Sequence, residues 1–291
     1  MLRSGRRMHR TAHSLLLLIA LCATRAFAGV DGPTYLGPKP PAEVKRIVTL
    51  APSITEIVIA LGAGDRLVGV SQFDELEQVK SLPRVGGFID PSIEAVLALH
   101  PDLLIVQPAP GNQAPVQKLA ELGVPVLALP LHSVEETLTS MRAVGRVLGK
   151  AKEAEALCRD IERMREQIRA KAKAQPKVRV LIVYEWQPLV VAGPGSFADE
   201  LMKDAGAINA AQSSDSPYPM YAVEAAVAAK PELIIDAAHD PTPAEKLRRL
   251  SGLKEARWER IPNEDLMHPG PNLGRALEGL YALIHPGEPS K

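Results

Sequence analysis

The chain predicts an α/β fold of two Rossmann-like lobes, each on a parallel sheet, joined by one long α-helix. Three observations carry this. Short apolar runs alternate with helical segments in both halves of the chain, which is the signature of βαβ units. Between the halves, residues 133–175 show helical periodicity alone. One stretch also repeats. Glu94, Ala95, Ala98, Pro101, Asp102, Leu103 and Ile105 are matched 130 residues later by Glu224, Ala225, Ala228, Pro231, Glu232, Leu233 and Ile235.

Residues 29–45, with Gly32-Pro33, Gly37-Pro38 and Pro40-Pro41, read as a flexible arm. The first lobe spans 46–132. Arg46 to Leu50 is a short strand, and Ser53-Ile54-Thr55-Glu56 is a capping box opening a helix that Gly62 stops. Leu67 to Val70 is a second strand. Asp90-Pro91 supplies an N-cap and a first-turn proline for a helix to about Leu99. Leu103 to Val106 is apolar throughout, as a buried parallel strand is. A helix over Gln113–Leu122 and a strand over Val124–Leu129 complete the lobe. The connector, 133–175, holds one helix to about Leu148 and a second from about Lys150, in which Ala154, Leu157, Cys158, Ile161 and Ile168 share a stripe. About 25 helical residues reach roughly 37 Å, enough to cross between lobes; a surface helix packed on one lobe is the alternative. The second lobe, 176–286, restarts with strands at Val178–Tyr184 and Leu233–Ile235 around a helix at Ser196–Ala205.

The 291 residues carry 34 basic and 34 acidic groups and are 46% apolar, which excludes global disorder. Arg3, Arg6, Arg7, Arg10 and Arg25 all precede residue 29, where no acid occurs. The remainder therefore holds 29 basic against 34 acidic groups, a net of −5. A mildly acidic chain does not seek nucleic acid through bulk basicity. Residues 1–28 read as a secretory signal peptide: a basic start, an apolar run from Ser14 to Ala23, and Ala26-Phe27-Ala28 as the cleavage site before Gly29. A retained anchor or a lipid on Cys22 are the alternatives, although Leu21 is large for the residue preceding a lipidated cysteine. Cleavage leaves Cys158 alone on its helical stripe, where a small core residue fits.

With these elements in place, the chain resembles the periplasmic substrate-binding proteins of ABC importers, in the class whose lobes are linked by a long helix. The resemblance covers nearly all of residues 46–286. It is carried by Arg46 to Glu56, Val68-Gly69-Val70-Ser71, Leu82-Pro83-Arg84-Val85-Gly86-Gly87 and Glu94 to Val106. Within the class the chain is most similar to cobalamin-binding proteins, through Gly111-Asn112, Leu122 to Val126, Tyr218-Pro219 and Pro269-Gly270-Pro271. Gln107 stands where some of those proteins carry an aromatic residue. The same class carries iron–siderophores and haem.

The resemblance implies a monomeric periplasmic receptor that captures cobalamin, a related corrinoid or another metal chelate and delivers it to an ABC importer permease. The corrinoid is then cargo, with no resident cofactor and no enzymatic activity. Glu94 and Glu224 fall on the two lobe-surface acids that dock onto permease arginines; complementing their own helix N-termini is the alternative role. Pro52 and Ser53, where the first strand meets its helix, fall at the cleft. Phe73, Phe88 and Tyr218 match aromatic wall positions, and Trp186 suits the same task; lobe core is the alternative for each. Asp265 and His268 fall where polar groups meet the ligand's lower face, and a histidine there either donates a hydrogen bond or ligates the metal.

The rival class is an extracytoplasmic enzyme. The chain has no Gly-x-Ser-x-Gly elbow, no His-Glu-x-x-His and no phosphate loop. Gly193-Pro194-Gly195-Ser196 reads either as an anion site at a helix N-terminus or as a turn and cap. A receptor for free zinc or manganese would gather its histidines, whereas His100, His132, His239, His268 and His285 are scattered.

Overall fold

The structure, a computed structural model, describes residues 32–261, 264–266 and 268–287. The leader and Cys22 lie outside the described residues.

Two sheets form the frame. The first contains β1 (Thr34–Leu36), β2 (Ile47–Thr49), β3 (Leu67–Gly69), β4 (Leu103–Val106) and β5 (Val126–Ala128), in the order β1-β5-β4-β2-β3. All its pairings are parallel except β1 against β5. Helices α1 (Pro52–Ala60), α2 (Ile93–Ala98) and α3 (Gln113–Glu121) connect the parallel strands. Next come α4 (Val134–Val147) and α5 (Ala151–Ala172).

The second sheet is built on β6 (Val178–Trp186). It adds β7 (Leu189–Val191), β8 (Ala207–Asn209), β9 (Leu233–Asp236) and β10 (Arg257–Arg260) in the order β10-β9-β6-β7, with β8 beside the start of β6. Only β7 runs antiparallel. Its helices are α6 (Phe197–Asp204), α7 (Val223–Ala228), α8 (Ala244–Leu247) and α9 (Leu273–Ile284). Among the described residues no helix is long and apolar enough to cross a membrane.

Strand periodicity sorts the core. Ile47, Leu103, Ile105 and Leu127 face one way, Val48, Leu104, Val126 and Ala128 the other. In the second sheet Val180 and Ile182 oppose Leu181 and Val183. The inward faces of both sheets share one continuous core with Leu138, Met141, Ala154, Cys158, Ile161 and Ile168 of the connector, while each outward face has a core of its own. The connector is thus a layer common to both lobes. Helix α5 starts against the first lobe, where Arg66 Nη1 donates to Leu148 O (3.0 Å) just before it, and ends against the second, where Gly206 abuts Ala172. Gly145 lets α4 and α5 approach, since a Cβ there would lie 2.4 Å from that of Ala154. Cys158 is fully buried, and burial pushes its thiol up to about 11.

Three local expectations are corrected. The arm is not flexible throughout: Thr34–Leu36 pairs along the otherwise open edge of β5, and Gly37 turns at φ 71° against Val124 O. Helix α1 has no Ser53–Glu56 capping box. Its N-cap is Ala51, two residues before Ser53, and alanine has no side-chain acceptor to cap with; Pro52 occupies the first turn, and the Glu56 carboxylate is engaged elsewhere. Helix α2 is capped by Ser92, whose Oγ accepts from Ala95 N–H (3.2 Å), and not by Asp90.

Candidate functional site

The two lobes meet where α1 contacts the 268–272 loop. Glu56, on α1, places Oε1 2.9 Å from His268 Nδ1, and its Oε2 accepts from Asn272 Nδ2 (3.4 Å). Gly270 packs near Ser53 O, so the 268–272 loop of the second lobe lies on the first turns of α1. Pro52 is half-buried and Ser53 buried at this contact. The Ser53…Glu56 spacing resembled a local cap; the partner of Glu56 is instead 212 residues away.

Beside this contact the second lobe forms a pocket of about 400 Å³ lined by Tyr184, Val190, Phe197, Tyr218, Leu266 and Pro269. The Tyr184 and Tyr218 rings stand 5.7 Å apart at 54°. Tyr218 is held by the backbone beneath it: Gly193 N–H donates to Pro217 O (2.8 Å), Val191 N–H to Pro219 O (3.3 Å) and Tyr221 N–H to Leu189 O (2.8 Å). Gly193 must be glycine, because a Cβ would sit 2.0 Å from Ser216 O. Packing around Tyr184 pushes its phenol well above the ordinary tyrosine value, so it stays neutral.

On the first lobe Phe73 is more than half exposed, its ring edge next to Gly87. Ile89, equally exposed, covers Gly111. Phe88 is half-buried and packs on the shared core. Under Phe73 lies a buried polar ladder. Thr49 and Thr55 hydroxyls are 2.7 Å apart, and Ser71 Oγ donates to Asp74 Oδ2 (2.7 Å). Burial pushes the Asp74 carboxyl up, against the opposing hydrogen bonds from Thr55 and Ser71 and the charge of Arg84. Neither Ile89 nor this ladder was anticipated; an exposed apolar residue after Gly86-Gly87-Phe88 was the available signal for the first.

Two expected site residues are engaged with other partners. Trp186 is 5% exposed in the outward core of the second lobe, stacked on Trp258 at 5.6 Å, with its indole N–H donating to Asp236 Oδ1 (2.9 Å). A bulge between Val183 and Glu185 inserts an extra residue in β6 and reverses the facing of the residues beyond it. Trp186 therefore points away from the side that Tyr184 serves. Asp265 is paired with Arg275 on α9, with Oδ2 2.8 Å from Nε. Gly193–Ser196 is a turn and cap: Asp199 Oδ2 takes the Gly195 N–H (3.0 Å) and Ser196 Oγ the Asp199 N–H (3.2 Å). Among the described residues no group of three or more His, Cys, Asp or Glu side chains is placed to hold a metal ion.

Glu94 and Glu224 lie in the first turns of α2 and α7, exposed, one on each lobe. The sequence repeat extends to the backbone: His100 (φ 41°) and Lys230 (φ 48°), again 130 residues apart, are the two non-glycine residues with left-handed conformation among those described.

A sequence profile described as periplasmic binding protein matches residues 47–261. The vitamin B12-binding protein of Vibrio cholerae serotype O1 is 27% identical over 208 residues, 71% of this chain and 75% of that one. Among solved structures, the periplasmic vitamin B12-binding protein of Vibrio cholerae superposes with a TM-score of 0.71 at 24% identity, over 83% of this chain and 96% of that one. A periplasmic haem-binding protein from Pseudomonas aeruginosa gives 0.73 at 29% identity, over 84% and 94%.

Proposed function

The chain belongs to the periplasmic binding protein family, and on that premise we propose that it captures cobalamin or a related corrinoid between its lobes and delivers it to an ABC permease. The observation that carries this reading is the apolar pocket of about 400 Å³ around the Tyr184–Tyr218 pair. A corrin presents a broad, partly apolar face and an amide-bearing rim. Tilted rings with Leu266 and Pro269 suit the face, while Ser53, His268 and Asn272 suit the rim. Phe73 and Phe88 serve the opposite wall, joined by Ile89. Pro52 shapes the cleft base. Glu94 and Glu224 dock onto the permease as a two-point contact that sets register and speeds encounter. The vitamin B12-binding relatives support the same ligand. The receptor acts as an exported monomer, cut from its leader near Gly29, and binds its ligand without transforming it.

A second reading, capture of haem or an iron–siderophore, is favoured by one observation. The Glu56 carboxylate orients His268 in the way that a carboxylate behind a metal-binding imidazole fixes its ring. Adding cyanocobalamin, haemin and a ferric siderophore in turn to residues 29–291 separates the two. Cyanocobalamin is expected to raise the melting temperature by mass action; a response to haemin or siderophore alone overturns the corrinoid assignment. Intact mass of the exported protein is expected to begin at Gly29 without lipid. Diacylglycerol on Cys22 would make the receptor membrane-tethered instead.

A further inference from the structure

Each lobe stops its acid-bearing helix with the same device, and the sequence repeat does not reveal it. Helices α2 and α7 have six residues each, too short to hold a direction in water unaided. In the first lobe Arg46, just before β2, reaches the end of α2: its Nε donates to Leu99 O (3.1 Å) and His100 O (3.3 Å), and its Nη2 to Leu99 O (2.8 Å). The Lys45 and Arg46 amides donate to Asp102 Oδ2 (2.8 and 3.0 Å), and Asp102 N–H donates back to Arg46 O (2.9 Å). In the second lobe Arg179, at the start of β6, donates through Nε to Lys230 O (2.8 Å) after α7. Its amide donates to Glu232 Oε2 (2.9 Å), and Glu232 N–H returns a bond to Arg179 O (2.8 Å). The arginines are 133 residues apart, not 130, so aligning the repeats does not pair them. The Arg46 guanidinium meets the C-cap carbonyl of α2, an orphan acceptor at the negative end of the dipole, whereas Arg179 meets the carbonyl of the left-handed residue one step beyond the C-cap of α7, as Arg46 also does at His100.

We propose that Arg46 and Arg179 are positioning residues for permease docking. Each ties its short helix to an inner strand of the sheet, so that Glu94 and Glu224 are presented at a set separation and angle. The inference rests on the docking role of those two acids. It also predicts an asymmetry. Helix α2 keeps a second side-chain anchor in Ser92, whereas α7 has no side-chain cap at Ala222. Loss of Arg179 should therefore loosen its helix more than loss of Arg46.

Spin labels on Glu94→Cys and Glu224→Cys read this directly, because the buried Cys158 thiol does not compete for the label. Pulsed dipolar spectroscopy is expected to give one narrow distance distribution in the parent. It should broaden in Arg46→Ala and more in Arg179→Ala, with partial recovery in the lysine variants, since an ammonium supplies a donor without the fork. Cyanocobalamin binding should be unmoved in all four, which a general loss of fold would not allow. Unchanged widths in both alanine variants overturn the proposal. In cells of the source organism carrying the unlabelled variants, Arg179→Ala should lower cyanocobalamin uptake, but add nothing to Glu224→Ala; additive losses overturn action through Glu224. Wild-type uptake in both Glu94→Ala and Glu224→Ala would sink the docking reading instead, while the distance widths still judge the arginines.

Discussion

The first lobe shows solvent an acid on a six-residue helix that stops at a left-handed residue, and the second lobe shows the same arrangement 130 residues later. Across the cleft the likeness ends. The first lobe offers Phe73 and Ile89 on a loop above a buried polar ladder. The second offers a walled apolar pocket around paired tyrosines. A surface stays duplicated when its partner presents the same chemistry twice, whereas a single asymmetric ligand leaves two walls free to diverge. Under the proposed function, the outer faces would meet a permease of two similar halves and the inner faces one ligand with unlike sides.

The strongest test of the shared face is charge reversal. Glu94→Lys with Glu224→Lys is expected to abolish uptake in cells while calorimetry finds ligand affinity unchanged, because neither acid is among the residues proposed to line the ligand site. Each single reversal should cost a similar share. Affinity falling in step with uptake, or one acid carrying the whole effect, breaks the duplicated-face reading.

The unlike faces are tested by truncation. Tyr218→Ala removes a ring held by its neighbours and should cost about 1–3 kcal/mol of cobalamin binding. Phe73→Ala should cost less: both rings are about half exposed, but Tyr218 also leans on Tyr184 at 5.7 Å and borders the pocket. The reverse order in calorimetry would move the main wall to the first lobe. Trp186→Phe should lower stability, through loss of the bond to Asp236, and leave binding alone.

Legibility in the sequence divides along the same line. Alternating apolar runs and helical stripes disclosed two lobes and a helical connector, because those signals are local. The match of Glu94 to Ile105 with Glu224 to Ile235 disclosed the shared outer face for the same reason. The cleft was read less well, since its geometry depends on contacts far apart in sequence. Glu56 leaves its own helix for His268, one extra residue in β6 turns Trp186 to the outward core, and Arg275 takes Asp265. None of these leaves a periodic trace. The pairing of Thr34–Leu36 with β5 is equally non-local, and proline-rich surroundings hid it.

Buried carboxylates separate the lobes by pH. In the second lobe burial raises the Asp199 carboxyl, but hydrogen bonds from Lys203, the Gly195 amide and Asn209 outweigh it and hold the group below the ordinary value. Its stabilisation is present above that ordinary value and fades as pH falls through the folded one. Asp74 of the first lobe is shifted upward, so its penalty on folding grows as pH rises from the ordinary carboxylate value to the folded one and is constant above it. Asp199→Asn is therefore expected to cost roughly 1.5–3 kcal/mol at neutral pH. Asp74→Asn should gain up to about 1 kcal/mol there, and both differences should vanish in acid. Denaturant titrations from pH 3 to 8 check both signs, and shifts in one direction for both variants would break the contrast.

The smallest effect is expected from ligand binding itself. One core runs through both lobes and the connector, Val134 N–H donates to Glu200 Oε2 (3.0 Å) at the start of α4, and Arg165 and Arg169 pair with Asp204 between α5 and α6. The Glu56–His268 contact adds a tie on the cleft side. Closing the cleft would shear this packed layer, and close-packed cores resist such deformation. Cobalamin should therefore leave the radius of gyration from small-angle scattering unchanged, with affinity coming from walls already in place. A consequence reaches the outer face. If the lobes do not move, Glu94 and Glu224 keep one separation whether the cleft is full or empty, and the permease cannot sense loading through them. Ligand-free receptor should then compete with loaded receptor for the permease nearly one for one. A contraction on binding, together with weak competition by the empty form, would mean that the two faces are coupled after all.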